Sequence, residues 1–181
     1  PLWKPSKPRI AAAAVSAFMR AAAVRSDTQP ADFDALHRWS VAQPDSFWCA
    51  VWDFCGVVGV RGARALVDAD RMPGARWFPD ARLNFAENLL RSRDGSDALV
   101  FWGEDKVRGR ASHAELHRAV AQTAAALRGV GVGKGDRVAA YLPNLPATLV
   151  AMLAAASLGA IFSSASPDFG VQGVLDRFGQ I

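Results

Sequence analysis

Two apolar runs separated by an apolar helix constrain this chain more than anything else in it. Arg137–Leu142 reads as a strand, Pro143–Pro146 as a loop, Ala147–Leu158 as a helix closed by Gly159, and Ala160–Ser164 as a second strand. A helix between two strands is the crossover that parallel pairing requires. Both runs are nearly continuous in apolar residues, the pattern of strands in a parallel sheet covered by helices on both faces. The crossover is expected to be right-handed. Asp168–Gly170 then leads into a further helix. The polar, proline-containing segment Ser163–Phe169 follows the second strand. Open α/β sheets bind ligands beyond the carboxyl ends of their strands, so this segment is the candidate ligand loop.

Upstream the pattern is antiparallel. Ala98–Trp102 and Val107–Arg110 read as strands joined by the turn Gly103–Lys106. Lys106, Arg108 and Arg110 alternate along the second of them, as on a solvated strand face. Ser112-His113-Ala114-Glu115 has the form of a capping box: a serine accepts from the first turn and a glutamate three residues on reaches back. A helix is therefore expected to about Arg128, with Leu116, Val120, Ala124 and Leu127 on one face.

The first ninety-odd residues are of another kind. Ile10–Arg25 is an alanine-rich helix carrying Ile10, Val15, Phe18 and Met19, broken at Asp27–Pro30. Asp32 caps a second helix with Phe33, Leu36 and Trp39 at spacings of three. Pro44 and Asp45 open a third, in which Phe47, Trp48, Val51, Trp52 and Cys55 follow one buried face until Gly56. Gly59–Arg82 reads as irregular and Leu83–Leu90 as a short helix. The boundary is placed in the polar, turn-rich stretch Arg91–Asp97, giving sections 1–95 and 96–181. The fold class is α/β: a helical N-terminal section followed by the first part of a parallel-sheet, helix-covered domain.

Composition excludes several classes. With 51% hydrophobic and 21% charged residues the chain is a globular sequence, able to bury a core. The net charge of +4 comes from scattered arginines, where nucleic-acid binding wants a clustered basic face. The most apolar stretch, Ala147–Phe162, is interrupted by Thr148, Ser157 and Gly159 and falls short of the roughly 20 residues of a membrane span. Cys49 and Cys55 lie six positions apart on one helix, roughly 9 Å between Cα atoms. That exceeds the reach of a disulfide, about 7 Å. Reduced thiols suit a cytoplasmic protein.

Motifs that announce chemistry mostly fail on detail. Gly129–Asp136 has Arg128 where a phosphate loop needs its first glycine and Gly135 where it needs Ser or Thr. Its glycines precede a strand, whereas dinucleotide-binding glycines follow one. It reads as a turn. His113 and His117 share a helix face, but as His-Ala-Glu-Leu-His, without a third metal ligand. No nucleophile elbow and no paired carboxylates are present. The residues alone stop at an α/β protein with a helical N-terminal section.

Resemblance goes further. Trp77-Phe78-Pro79-Asp80-Ala81-Arg82-Leu83-Asn84-Phe85-Ala86-Glu87-Asn88-Leu89-Leu90 resembles the segment that joins the N-terminal cap to the main domain in short-chain acyl-CoA synthetases, adenylate-forming enzymes. Ser112–Leu116 resembles that family's (Ser/Thr)-Tyr-x-Glu-Leu, with His113 in place of Tyr, and Gly131–Gly159 resembles its core. Ser164–Phe178, the opening Leu2-Trp3-Lys4-Pro5-Ser6, and the segments around His37–Ser40 and Phe47–Phe54 resemble the acetoacetate-activating branch. Acetate- and propionate-activating relatives tend to carry a Phe-Gly-Gly-Phe-type segment where this chain has Ser166-Pro167-Asp168-Phe169-Gly170.

The resemblance implies a two-step ligase. ATP and acetoacetate give acetoacetyl-AMP and pyrophosphate, with Mg²⁺ balancing phosphate charge, and the thiol of coenzyme A then displaces AMP. In that family the phosphate loop, acyl pocket, adenine-binding segment and catalytic lysine all lie downstream, so no catalytic or metal-binding residue is assigned. Ser166, Asp168 and Phe169 match the place where relatives begin to line the CoA channel. Three other readings stay open: a ligase for another short acid such as propionate, a non-catalytic binding module derived from the family, and a nucleic-acid binder argued from basicity alone.

Overall fold

The computed structural model describes residues 2–23, 30–104 and 106–181, which divide into two compact units, Pro1–Leu83 and Asn84–Ile181. In the first unit, α1 (Lys7–Ala12) starts where Ser6 Oγ accepts the Arg9 N–H and Pro8 occupies an early helical position. It stops at Ala13, which is extended (φ −67°, ψ 141°), and α2 (Ala14–Ala23) begins at once. The single helix expected over Ile10–Arg25 is thus two. Alanine favours helix but has no side chain with which to hold a register. Here Phe18 and Ala22 are buried while Ile10 and Val15 are exposed, so the core grips only one end of the run. The break is satisfied locally: the Ser16 hydroxyl donates to the Ile10 carbonyl at 2.6 Å. The expected break at Asp27–Pro30 lies, but for Pro30, outside the described residues, as does Asp105 in the turn of the later hairpin.

Helix α3 (Phe33–Ala42) is capped as expected, with Asp32 Oδ1 accepting the Ala35 N–H at 2.7 Å. Leu36 and Trp39 are buried, but Phe33 is 65% exposed, because the first turn lies outside the packed stretch. Helix α4 (Pro44–Phe54) buries Ala50 rather than the whole aromatic stripe. Phe47 meets Phe18 and Trp39 edge-on at 5.7 and 5.5 Å between ring centroids. Trp48, 44% exposed, and Trp52 turn instead to Trp77 and Phe78, at 5.9 and 5.2 Å. The stripe is therefore packing, but split between two neighbours rather than one buried face. Cys49 is half-buried in α4 and Cys55 exposed at its end, both as free thiols.

The stretch Gly59–Arg82 is not wholly irregular. β1 (Leu66–Val67) and β2 (Arg76–Trp77) form a brief antiparallel ladder, and Val60 bridges Arg82. Strands of two residues are too short to show a period of two. Their flanks are fixed by charge: Arg64 grips both oxygens of Asp80 at 2.8 and 2.5 Å, and Arg76 meets Asp68 at 3.2 Å. The Arg64 guanidinium, chiefly by hydrogen bonding, holds the Asp80 carboxyl below its ordinary range.

The second unit opens with α5 (Phe85–Leu89), whose cap Asn84 works in two directions. Its Oδ1 accepts the Glu87 N–H at 3.1 Å, and its Nδ2 donates to the carbonyls of Ala156 and Ser157 at 3.0 and 3.2 Å. Those carbonyls close α7 (Pro146–Ser157), so one side chain satisfies orphan groups at two helix ends. β3 (Asp97–Gly103) and β4 (Val107–Ser112) pair antiparallel, with Val100 opposite Arg110 and Trp102 opposite Arg108. Arg108 lies over the Trp102 ring at 4.7 Å and Arg110 pairs with Asp97, so the basic alternation is a solvated face as expected.

Helix α6 (His113–Gly129) carries Leu116, Val120 and Ala124 into a core shared with Ala86, Leu153 and Ala154. Ala86 and Ala154 are 0% exposed: small side chains here let helix backbones approach closely. β5 (Arg137–Tyr141) and β6 (Ile161–Ala165) pair parallel, Arg137 beside Ile161 and Tyr141 beside Ala165, with α7 as the crossover. Gly159, at φ +74°, lets the Ala160 N–H turn back to Ala155 and so stops α7 just before β6. Within the described residues Ala140 and Ala165 of this pair are buried, while Arg137, Ala139, Tyr141 and Ile161 are exposed. Helix α8 (Val171–Phe178) follows.

The capping box of α6 is complete. Ser112 Oγ accepts the Glu115 N–H at 3.2 Å, and Glu115 Oε2 accepts from the Ser112 backbone and hydroxyl at 2.8 and 2.9 Å. Ser112→Ala should cost about 0.5–2 kcal/mol and Ser112→Asp much less, read by urea unfolding. Equal losses would show that the cap does not stabilise this helix. The backbone and hydroxyl donors of Ser112 hold the Glu115 carboxyl below its ordinary value. A depressed carboxyl stabilises the fold above its unfolded pKa, and that contribution fades as pH falls through the folded value. Glu115→Gln should therefore cost stability at neutral pH and progressively less in acid.

Candidate functional site

The candidate loop leaves β6 at the carboxyl end of a parallel pair, where ligands of open α/β sheets bind. It runs from Ser166 to Gly170 and enters α8. Ser166 and Asp168 engage each other: the Ser166 hydroxyl donates to Asp168 Oδ2 at 2.8 Å and accepts the Asp168 N–H at 3.4 Å. The Phe169 N–H closes the turn on the Ser166 carbonyl at 3.1 Å. Phe169 is 37% exposed, and the Arg177 guanidinium sits 3.7 Å from its ring centroid. Arg177 also donates to the Gly173 carbonyl at 3.2 Å, which ties the first and last turns of α8. The structure thus brings Ser166, Asp168 and Phe169 together in one turn.

Sequence reasoning missed Tyr141. It is the last residue of β5, beside the loop rather than in it, and its hydroxyl reaches the carbonyls of both Pro167 and Phe169, at 2.8 and 3.0 Å. The available signal was slight: the chain has 1 tyrosine, and it ends a strand on the same edge as the candidate loop.

Other sequence candidates fall elsewhere. In Gly129–Asp136 most amides are already engaged, that of Gly135 with the Gly159 carbonyl at 3.0 Å. With Gly131 at φ +93°, its N–H and that of Val132 turn back to the Arg128 and Leu127 carbonyls, and the Gly133 N–H goes to Asp136 Oδ2 at 2.8 Å. A phosphate would find no free row of donors there. His113 and His117 stay on α6, and no described cluster of three His, Cys, Asp or Glu could hold a metal. The described residues therefore offer no site that fits the implied Mg²⁺. Asp94 is held below its ordinary value by the Ser96 hydroxyl and then the Ser96 N–H, a turn contact ahead of β3. A groove of about 800 Å³ between β3 and the entry to α7, lined by Val100, Trp102, Asn144 and Leu145, takes in none of the loop residues. Glu104 and Asn144 join the apolar side chains of its lining. No helix among the described residues is long and apolar enough to cross a membrane.

Comparison with known proteins gives one answer at every level. The family model for AMP-binding enzymes matches residues 85–178, and that for the acetyl-coenzyme A synthetase N-terminus matches residues 33–89. An acetoacetyl-coenzyme A synthetase of Rhizobium meliloti (strain 1021) is 54% identical over 181 residues, covering 100% of this chain and 28% of the relative. An acetoacetyl-CoA synthetase of Macaca fascicularis is 46% identical over 155 residues, 83% of this chain and 23% of that one. The solved acetoacetyl-CoA synthetase from Streptomyces lividans superposes with a TM-score of 0.90 at 45% identity, over 100% of this chain and 29% of that chain. The chain thus spans under a third of the length of these relatives and corresponds to their N-terminal part. On the match over residues 85–178, the chain belongs to the AMP-binding enzyme family.

Proposed function

We propose that this chain is the N-terminal part of an ATP-dependent acetoacetate–CoA ligase. The observation that carries the reading is 54% identity with an acetoacetyl-coenzyme A synthetase over an alignment that spans all 181 residues of the chain. In this reading the acetoacetate carboxylate attacks the α-phosphorus of ATP, releasing pyrophosphate and leaving acetoacetyl-AMP. The CoA sulfur then attacks the acyl carbonyl and AMP departs with the electrons of the broken C–O bond. The divalent cation that accompanies ATP would be held by residues outside those described. Residues 1–95 would form the cap and 96–181 the start of the adenylation domain, in a cytoplasmic protein. The loop Ser166, Asp168 and Phe169 would border the CoA channel. Its polar turn at a strand's carboxyl end supports that role.

In a chain extended to the length of its relatives, pyrophosphate release should be measured with acetoacetate, acetate, propionate and butyrate. The highest kcat/KM is expected with acetoacetate. A higher value with acetate would reject the substrate assignment while leaving the family intact.

A further inference from the structure

The turn Ser166–Phe169 is braced from two sides by elements that are not part of it. From β5, one phenolic proton of Tyr141 is shared between the Pro167 and Phe169 carbonyls, at 2.8 and 3.0 Å. These carbonyls belong to the Pro167–Asp168 and Phe169–Gly170 peptides, so holding both fixes the chain before and after the Asp168–Phe169 pair. From α8, Arg177 covers one face of the Phe169 ring. The contacts within the turn, Ser166 to Asp168 and Ser166 to Phe169, set its shape. They do not set where it stands relative to the sheet. Tyr141 does that, because it belongs to a strand paired residue for residue with β6 up to Tyr141 beside Ala165. The Leu142 N–H extends the ladder to the Ala165 carbonyl at 3.3 Å, so the anchor and the loop's first residue share one rigid edge. An exposed polar turn of this kind would otherwise sample several arrangements, and a ligand would have to order it on binding.

We infer that Tyr141 is a positioning residue for the thiol-transfer step: its hydroxyl holds the Ser166–Phe169 turn ready for CoA and takes no part in adenylation. The inference rests on the ligase reading above, and on the loop bordering the CoA channel within it. The Tyr141 hydroxyl donates to carbonyls of the loop, so its loss should appear in CoA binding and not in the chemistry of ATP. Tyr141→Phe keeps the ring and removes only the hydroxyl from a half-exposed side chain, so folding should survive.

The test has two arms in the full-length ligase. Acetoacetate-dependent exchange of pyrophosphate into ATP reads adenylation, and the KM for CoA reads the second step. In Tyr141→Phe, exchange should stay within about twofold while the KM for CoA rises several-fold, up to about tenfold, as for loss of one neutral hydrogen bond. Hydrogen exchange at residues 168–171 should quicken in the variant. Arg177→Met, which strips the cation from the other side of Phe169, should move the KM for CoA in the same direction and decides the matter should Tyr141→Phe fail to fold. An unchanged KM for CoA in the variants, or a fall in adenylation as large as the rise in KM, overturns the inference. Absence of acetoacetate-dependent exchange in the parent enzyme would instead overturn the ligase reading.

Discussion

Purified as these 181 residues alone, the chain is expected to release no acetoacetate-dependent pyrophosphate when given ATP, Mg²⁺ and CoA. Adenylation depends on donors fixed around a triphosphate in a site closed to water, where their electrostatic effect is large. Among the described residues the one glycine-rich stretch spends its amides on α6 carbonyls and on Asp136. The carboxyl edge of the parallel pair offers a turn whose polar groups already engage one another and Tyr141. A chain covering 28% of a working relative should lack the rest of the machinery. Turnover above a no-protein control, persisting after contaminating ligase is removed, would show that these residues contain a complete site.

Leu153→Ala should be the most damaging of simple core truncations in the second unit, costing about 2–5 kcal/mol. Leu153 is 2% exposed and is the largest fully buried side chain among the described residues, in a core shared with Leu116, Val120 and Ala124 of α6 and with Ala86 and Ala154. A domain of this size is stable by only about 5–15 kcal/mol, so the loss is a large share of the total. Val171→Ala on α8, at a site exposed to solvent, is the matched control and should shift stability by no more than about 0.5 kcal/mol. Urea unfolding followed by far-ultraviolet circular dichroism gives both values. A cost below about 1 kcal/mol for Leu153→Ala would mean that α6 and α7 repack around the gap, and that the alanines beside it are not fixed by the sheet.

The elements most legible in the sequence were those specified by local chemistry. Asp32 and Ser112 each place an acceptor where the first helical amides lack one, and each caps a helix in the structure. The length of apolar chain between Leu142 and Ala160 demands a crossover, so the parallel pairing of β5 and β6 followed from counting residues. The position of Ser166–Phe169 beyond a parallel strand was likewise readable, because it depends only on chain order.

What the sequence left undecided depends on neighbours far along the chain. Nothing in an alanine run marks Ala13 as the place where a helix breaks, since the break is set by which end the core holds through Phe18 and Ala22. The two-residue strands β1 and β2 are too short for any periodicity and are defined by their pairing with each other, Leu66 opposite Trp77 and Val67 opposite Arg76. Apolar composition marks β5 and β6 as strands of a parallel sheet, but which residues are covered depends on what packs on them: Ala140 and Ala165 are buried and Ile161 is exposed. The placing of the candidate loop rests on a hydrogen bond between residues 26 apart, from Tyr141 to the Pro167 carbonyl. Local chemistry determined caps, turns and chain order. Only the tertiary structure could bring that hydroxyl to the loop, because its partners are backbone carbonyls, which every residue carries and no sequence singles out.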